Sequence, residues 1–217
     1  MSIPVARLNH AVLFVRDAER AAEFYTQVFG FEVVGREMDG QAIFLRSPLE
    51  GNHHDLGLFS VGPQAQNAPR GSVGLYHLAW EVPTITDLAA ARDVLAAAGA
   101  LGGASDHGVS KSLYGRDPDG NEFEVMWRVP RDAWGEDEHR GAIRPLDIER
   151  EVARFGNGKG TPTASVFQSG STYFIKSRIL RGRRWRPAYS SGVSPWLFGA
   201  ARSAPANSIA WIISSSP

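Results

Sequence analysis

The chain has 217 residues, 43% of them hydrophobic, with 23 acidic and 23 basic residues and no cysteine, enough for one full core and an appendage. The lack of cysteine excludes disulfides and thiolate ligands, so any metal site must be built from His, Asp or Glu. The formal charge of zero conceals a division: every acid precedes Asn157, and only basic residues (Lys159, Lys176, Arg178, Arg181, Arg183, Arg184, Arg186 and Arg202) follow it.

No basic segment leads into an apolar run at the N-terminus, and no apolar stretch approaches the ~20 residues that span a bilayer. A cytoplasmic protein that does not enter membranes is expected.

In chain order, a strand-like run at 8–15 contains His10 near its start. After the polar bend Arg16-Asp17, a helix is predicted over Ala18–Phe29, with Ala21, Ala22, Phe24, Tyr25 and Val28 on its apolar period and Gly30 as its stop. These aromatic residues follow core spacing and need no ligand to explain them. Strands follow at 31–36, 42–46 and 55–59, the first two joined by the hairpin signal Asp39-Gly40. The stretch 62–71, rich in Pro, Gly, Gln and Asn, reads as a linker. The order then repeats: a strand-like run at 75–82 containing His77, an alanine-rich helix at 87–98 stopped by Gly99, and strands near 111–116 and 122–128 about the turn Asp119-Gly120.

The fold class is therefore α+β, with two β-α-β-β-β modules at about 7–60 and 73–128 inside a domain of residues 1–130. His10 and His77 occupy matching positions, and a repeat shift of 70 matches Glu124 to His54. Two neutral imidazoles and one carboxylate bind a divalent metal on one face and leave other positions open. His10, His77 and Glu124 are the candidate ligands, with Glu122 as the weaker acid because it lies beside the turn. Successive strand side chains alternate, so His53 and His54 cannot both face one cavity, and the repeat shift selects His54. Taken singly, each histidine has a plainer reading as a hydrogen-bonded structural residue; the matched positions argue for a site.

Residues 131–156 are expected to form a helical extension packed on the domain. Residues 157–217 read as a basic, disordered tail or a frameshifted terminus. The run Arg181-Gly182-Arg183-Arg184-Trp185-Arg186 has the charge and aromatic character of a nucleic-acid contact, but composition favours disorder, and no nucleic-acid partner is expected.

The run Asp117-Pro118-Asp119-Gly120-Asn121-Glu122-Phe123-Glu124, together with the strand histidines, resembles the vicinal-oxygen-chelate superfamily of glyoxalases, bleomycin-resistance proteins and extradiol dioxygenases. The resemblance covers roughly residues 7–130. It implies paired modules curling into an open, metal-centred barrel, with His10, His77 and Glu124 as metal ligands. The pair His53-His54 and the segment from Asp106 to Tyr114 are most similar to catechol 2,3-dioxygenase-like members. That likeness implies His54, Tyr114 and His107 as catalytic residues.

The expected activity is iron-dependent extradiol cleavage of a small aromatic diol by dioxygen, in a homodimer. Fe(II) is the expected metal, with Mn, Ni, Zn or Co as alternatives. His54 would take and return a phenolic proton, Tyr114 would donate a hydrogen bond, and His107 would cover the substrate. The rivals are a glyoxalase-like isomerase or lyase with His54 as a fourth ligand, and a metal-free small-molecule or drug-binding protein.

Overall fold

The computed structural model describes residues 2–156 apart from Glu50 and Arg70; the expected tail at 157–217 lies outside the described residues. The first half consists of β1 (Ala11–Val15), α1 (Ala18–Phe29), β2 (Glu32–Glu37), β3 (Ala42–Arg46) and β4 (Leu56–Ser60). Asp17 caps α1 by accepting the Glu19 and Arg20 N–H groups, and Gly30 ends it in the left-handed conformation at φ 69°. The strands form a mixed sheet in the order β1-β4-β3-β2, with β1 and β4 parallel.

The second half repeats this plan with β5 (His77–Glu81), α2 (Ile85–Ala97), β6 (Leu101–Asp106), β7 (Ser110–Arg116) and β8 (Glu122–Arg128). Its sheet order is β5-β8-β7-β6, again with the outer pair β5/β8 parallel. The helix begins earlier than its alanine pattern indicates, because Thr84 and Asp87 form a reciprocal capping box. Strand β6 is absent from the sequence reading. Its Gly102, Gly103 and Ser105 have weak strand preference, and the pairing with β7 supplies what propensity does not.

Each sheet buries one face. Leu13, Val15, Ile43, Leu45, Leu56 and Leu58 pack under α1, while Leu113, Phe123, Val125 and Trp127 line the core of the second half. The halves meet through aromatics: Phe123 lies 6.1 Å from Phe24 and 5.1 Å from Phe29, and Trp80 lies 5.2 Å from Phe31. Burying each such ring contributes about 1.5–3 kcal/mol. Arg16 adds a part-buried ion pair to Asp119 at 2.9 Å. The turn containing Asp119 thus ties the halves together, which is structural work and not ligation.

The two sheets remain separate four-stranded layers, not one closed barrel. Beyond β8 the chain makes two short 3-10 turns and α3 (Ile148–Phe155). Ile148 and Glu151 of α3 are buried, and Arg144 pairs with Asp106 through both backbone N–H groups. Among the described residues, no helix is long and apolar enough to cross a membrane.

Strand register revises the repeat. Ala11 pairs with Leu56 and Leu78 with Phe123, a shift of 67 residues for both strands. Phe44 pairs with Gly57 and Tyr114 with Glu124. The counterpart of Glu124 is therefore Gly57, not His54. The chain runs 13 positions from Phe44 to its partner Gly57 but 10 from Tyr114 to its partner Glu124, so a single shift of 70 cannot hold across this connection.

Candidate metal centre

Side chains alternate along β8: Phe123, Val125 and Trp127 enter the core, leaving Glu122, Glu124 and Met126 on the other face. His77 opens the neighbouring parallel strand. Its Nε2 lies 3.0 Å from Glu124 Oε2, with the side chains 25% and 12% exposed. Two ligand atoms about 2.1 Å from one ion and at right angles to it stand ~3.0 Å apart. The spacing and the donor types therefore suit adjacent positions on a divalent metal. His77 Nδ1 is buried without a hydrogen-bond partner.

Glu122 is otherwise engaged. It pairs with Arg116 at 3.0 Å, and Tyr76 hydrogen-bonds to it; burial first, and then that bond, push the Tyr76 hydroxyl up. Glu124 instead has the His77 imidazole as its neighbour.

Tyr114 lies directly across from Glu124 in the β7/β8 ladder, its ring 5.8 Å from His77. The Tyr114 hydroxyl is 2.8 Å from His107 Nε2, and His107 Nδ1 is 2.8 Å from the Ala142 carbonyl. A carbonyl only accepts, so Nδ1 carries the proton and Nε2 of the neutral ring accepts from the tyrosine. Burial, followed by the charge of Glu124, pushes the Tyr114 phenol up to about 12. Tyr114 therefore remains a phenol at neutral pH, with its oxygen lone pairs available to a donor. His107 and Tyr114 act as a pair on the same sheet as His77 and Glu124.

His10 and His54 form a second cluster. His10 sits just before β1, its Nδ1 2.8 Å from Asn9 Oδ1, and its ring centroid is 4.7 Å from that of His54. His54 lies in the loop before β4, not on the strand, so strand alternation does not separate it from His53. Their Nδ1 atoms are 3.0 Å apart, and His54 also packs edge-on against Phe44 at 5.2 Å. Burial, then His10 and His53, push the His54 imidazole below its ordinary value. Asn52 secures this corner, donating to the carbonyls of Asn9 and His54, both at 2.8 Å.

Among the described residues, no three His, Asp or Glu side chains gather closely enough to hold one ion. The candidates stand as two pairs, His10/His54 and His77/Glu124. A cavity of about 450 Å³ at the seam of the halves is lined by His10, Asp55, Phe31, Trp80, Glu81 and Val125. Sequence reasoning missed the Ala142 carbonyl and Asn52. No motif marks a backbone acceptor delivered by an extension, whereas asparagine in the His53-His54 loop was a usable signal.

The family model described as Glyoxalase/Bleomycin resistance protein/Dioxygenase superfamily matches residues 7–125. Catechol-2,3-dioxygenase of Bacillus subtilis (strain 168) is 34% identical over 158 residues, covering 71% of this chain and 54% of that protein. Manganese-dependent 2,3-dihydroxybiphenyl 1,2-dioxygenase of Geobacillus genomosp. 3 is 26% identical over 135 residues, covering 60% and 39% respectively. The chain thus spans about half or less of the length of these relatives. A glyoxalase/dioxygenase structure from Nostoc punctiforme superposes with a TM-score of 0.51 at 18% identity, over 60% of this chain and 97% of that one, a likeness of fold.

Proposed function

We propose that this chain, which belongs to the glyoxalase/bleomycin resistance protein/dioxygenase superfamily, is an extradiol dioxygenase. It opens the ring of a catechol-type diol beside its two hydroxyl-bearing carbons, using dioxygen. The observation that carries this reading is the His77–Glu124 pair at 3.0 Å beside the Tyr114–His107 pair, in a chain whose relatives include named diol dioxygenases. His77 and Glu124 would hold the metal, and Fe(II) is the proposed ion; His10, the third ligand expected from the sequence, stands beside His54 and does not join them among the described residues. One of the relatives is named as manganese-dependent, and a His-His-carboxylate set also accepts Mn, Ni, Zn or Co.

When bound, the ion supplies a positive charge that acidifies a phenol and brings both reactants to one centre. The protein's own groups do the rest. His54, its imidazole held toward the neutral form, accepts the second phenolic proton and returns it during ring opening. Tyr114 offers its oxygen to a donor on the substrate and keeps its proton against His107. His107 is fixed in one tautomer by the Ala142 carbonyl, so the pair remains aligned through turnover.

A second reading has its own support. The His54 ring is close enough to His10 for both to serve one ion, which would suit a four-ligand, glyoxalase-like isomerase or lyase. The test is anaerobic loading of the full chain with ferrous iron, then catechol and 3-substituted catechols in air. Oxygen uptake with a yellow product, both absent from Glu124→Ala, is the expected result. One bound metal per chain without uptake would move the assignment to the isomerase or lyase. Failure to bind any metal would leave a ligand-binding protein.

A further inference from the structure

We infer that Lys111 is a positioning residue for the His107–Tyr114 pair: its buried ammonium, set between Asp106 and Glu151, keeps the proton of His107 on Nδ1. The inference deepens the dioxygenase reading above and rests on it only for what the place of that proton means to a substrate.

Side chains alternate along β7, so Lys111 shares the core face with Leu113 and Gly115, and Tyr114 lies on the other. Lys111 therefore stands behind the sheet, only 4% exposed, where a lysine is almost never found without a partner. Asp106, opposite it in the β6/β7 ladder, forms an ion pair with it. Lys111 Nζ also lies 3.5 Å from the Gly108 carbonyl oxygen and 3.7 Å from Glu151 Oε2. Arg150 Nε stands 3.4 Å from the other Glu151 oxygen. Glu151 Oε2 itself is buried and accepts no hydrogen bond, so the Lys111 charge is what compensates it there.

Asp106 and Gly108 are the chain neighbours of His107. Lys111 thus grips the backbone on both sides of that histidine, from the face opposite Tyr114. The turn is closely fitted. The Gly108 N–H donates to Asp106 Oδ1 at 2.7 Å, and Gly108 is left-handed at φ 77°, with Asp137 of the extension where a Cβ would stand. The extension also brings the acceptor. The Arg144 backbone makes two hydrogen bonds to Asp106, at 2.8 and 2.9 Å, and Ala142, two residues earlier, presents its carbonyl to His107 Nδ1. Through Glu151, α3 is a further attachment to the same ammonium. One charge joins the ladder, the turn and the extension, and it holds the Ala142 carbonyl in register with the ring.

Removal of the ammonium would leave two buried carboxylates without the cation they share, a strongly unfavourable state. The turn and α3 would then separate, and Nδ1 would lose its acceptor. Which ring nitrogen carries the proton is set by the hydrogen bond the other one makes. Freed from Ala142, the ring carries its proton on Nε2 and donates it to the Tyr114 oxygen. The Tyr114 O–H then turns outward, and Tyr114 meets a substrate hydroxyl as a donor, not as an acceptor.

The test is the imidazole nitrogen spectrum of the full chain, labelled with nitrogen-15 at histidine, at neutral pH and without metal or substrate. The His107 signals are identified by their loss in His107→Gln. The parent should show a protonated Nδ1 and a bare Nε2. In Lys111→Met the two signals should exchange character or average, with those of the other five histidines unmoved. A parent protonated on Nε2, or a folded Lys111→Met that keeps the proton on Nδ1, would overturn the inference.

Glu151→Gln provides an independent check, since it keeps the shape of α3 and removes the charge. It should move the His107 signals in the same direction by a smaller amount. Signals unchanged from the parent would overturn the inference even where Lys111→Met does not fold. The expected spectra in a chain that cleaves no catechol would support the positioning role and remove only the dioxygenase assignment.

Discussion

The His107 Nε2 stands 2.8 Å from the Tyr114 hydroxyl, and the contact is set from outside the two sheets. The Ala142 carbonyl holds the other ring nitrogen at the same distance. Residues beyond the second module therefore determine which way a proton lies at the candidate centre. Tyr114→Phe deletes the O–H without changing the ring. We expect kcat to fall by roughly 10–100-fold with metal content unchanged, measured by steady-state oxygen uptake beside metal analysis. An unchanged kcat would make Tyr114 a wall of the cavity only.

The same tyrosine makes an alkaline prediction. Its folded pKa is raised to about 12, above an unfolded value near 10. The native state therefore binds the proton more tightly between those values. This contribution to stability is complete below about pH 10 and is lost as pH rises toward about 12. Denaturant midpoints across that range should fall more steeply for the parent than for Tyr114→Phe; parallel curves would refute the shift.

Acid should loosen the extension. Burial opposes the charge of Asp106, but the Lys111 ammonium, the Gly108 N–H and Arg144 outweigh it and hold its carboxyl below the ordinary range. Hydrogen bonds from Arg144 hold Asp137 low as well. Depressed carboxylates stabilise the native state above their unfolded values, near pH 4, and that contribution is lost as pH falls through the folded ones. Hydrogen exchange in residues 131–156 should accelerate below about pH 4, ahead of exchange in β7 and β8. Simultaneous exchange of both regions would count against the two acids acting as the latch.

His54 separates the two enzymatic readings. His54→Asn should retain metal and slow turnover by about 100-fold or more if the imidazole moves a proton. Loss of metal would instead identify it as a ligand.

Gly115 reports on packing beneath the site. A Cβ there would meet the Phe123 ring at 2.5 Å and the Ala100 carbonyl oxygen at 2.7 Å. Gly115→Ala should destabilise the fold by about 1–3 kcal/mol, read as a lower urea midpoint at constant slope. A midpoint unchanged from the parent would mean that β7 yields easily.

Most of the secondary structure was legible in the residues because each element carries a local signal. The Asp17 cap, the Gly30 stop and the period of Ala21, Ala22, Phe24 and Tyr25 delimit α1 as observed. Alternation around Phe123, Val125 and Trp127 places Glu124 on the face away from the core. Strand β6 escaped because its glycines carry no such signal and its partner lies along β7.

The sequence by itself determined both helices, most of the strands and the turns of the two matching halves, since these follow from periodicity and turn chemistry over short spans; its motifs also carried the superfamily resemblance. Tertiary structure alone decided that Gly57 is the counterpart of Glu124 and that Ala142 orients His107. It also decided that His10 and His54 stand apart from His77 and Glu124. Register, loop length and the packing of one half on the other are non-local quantities. They emerge from which hydrophobic faces bury each other, and no window of the chain contains both sides of that contact.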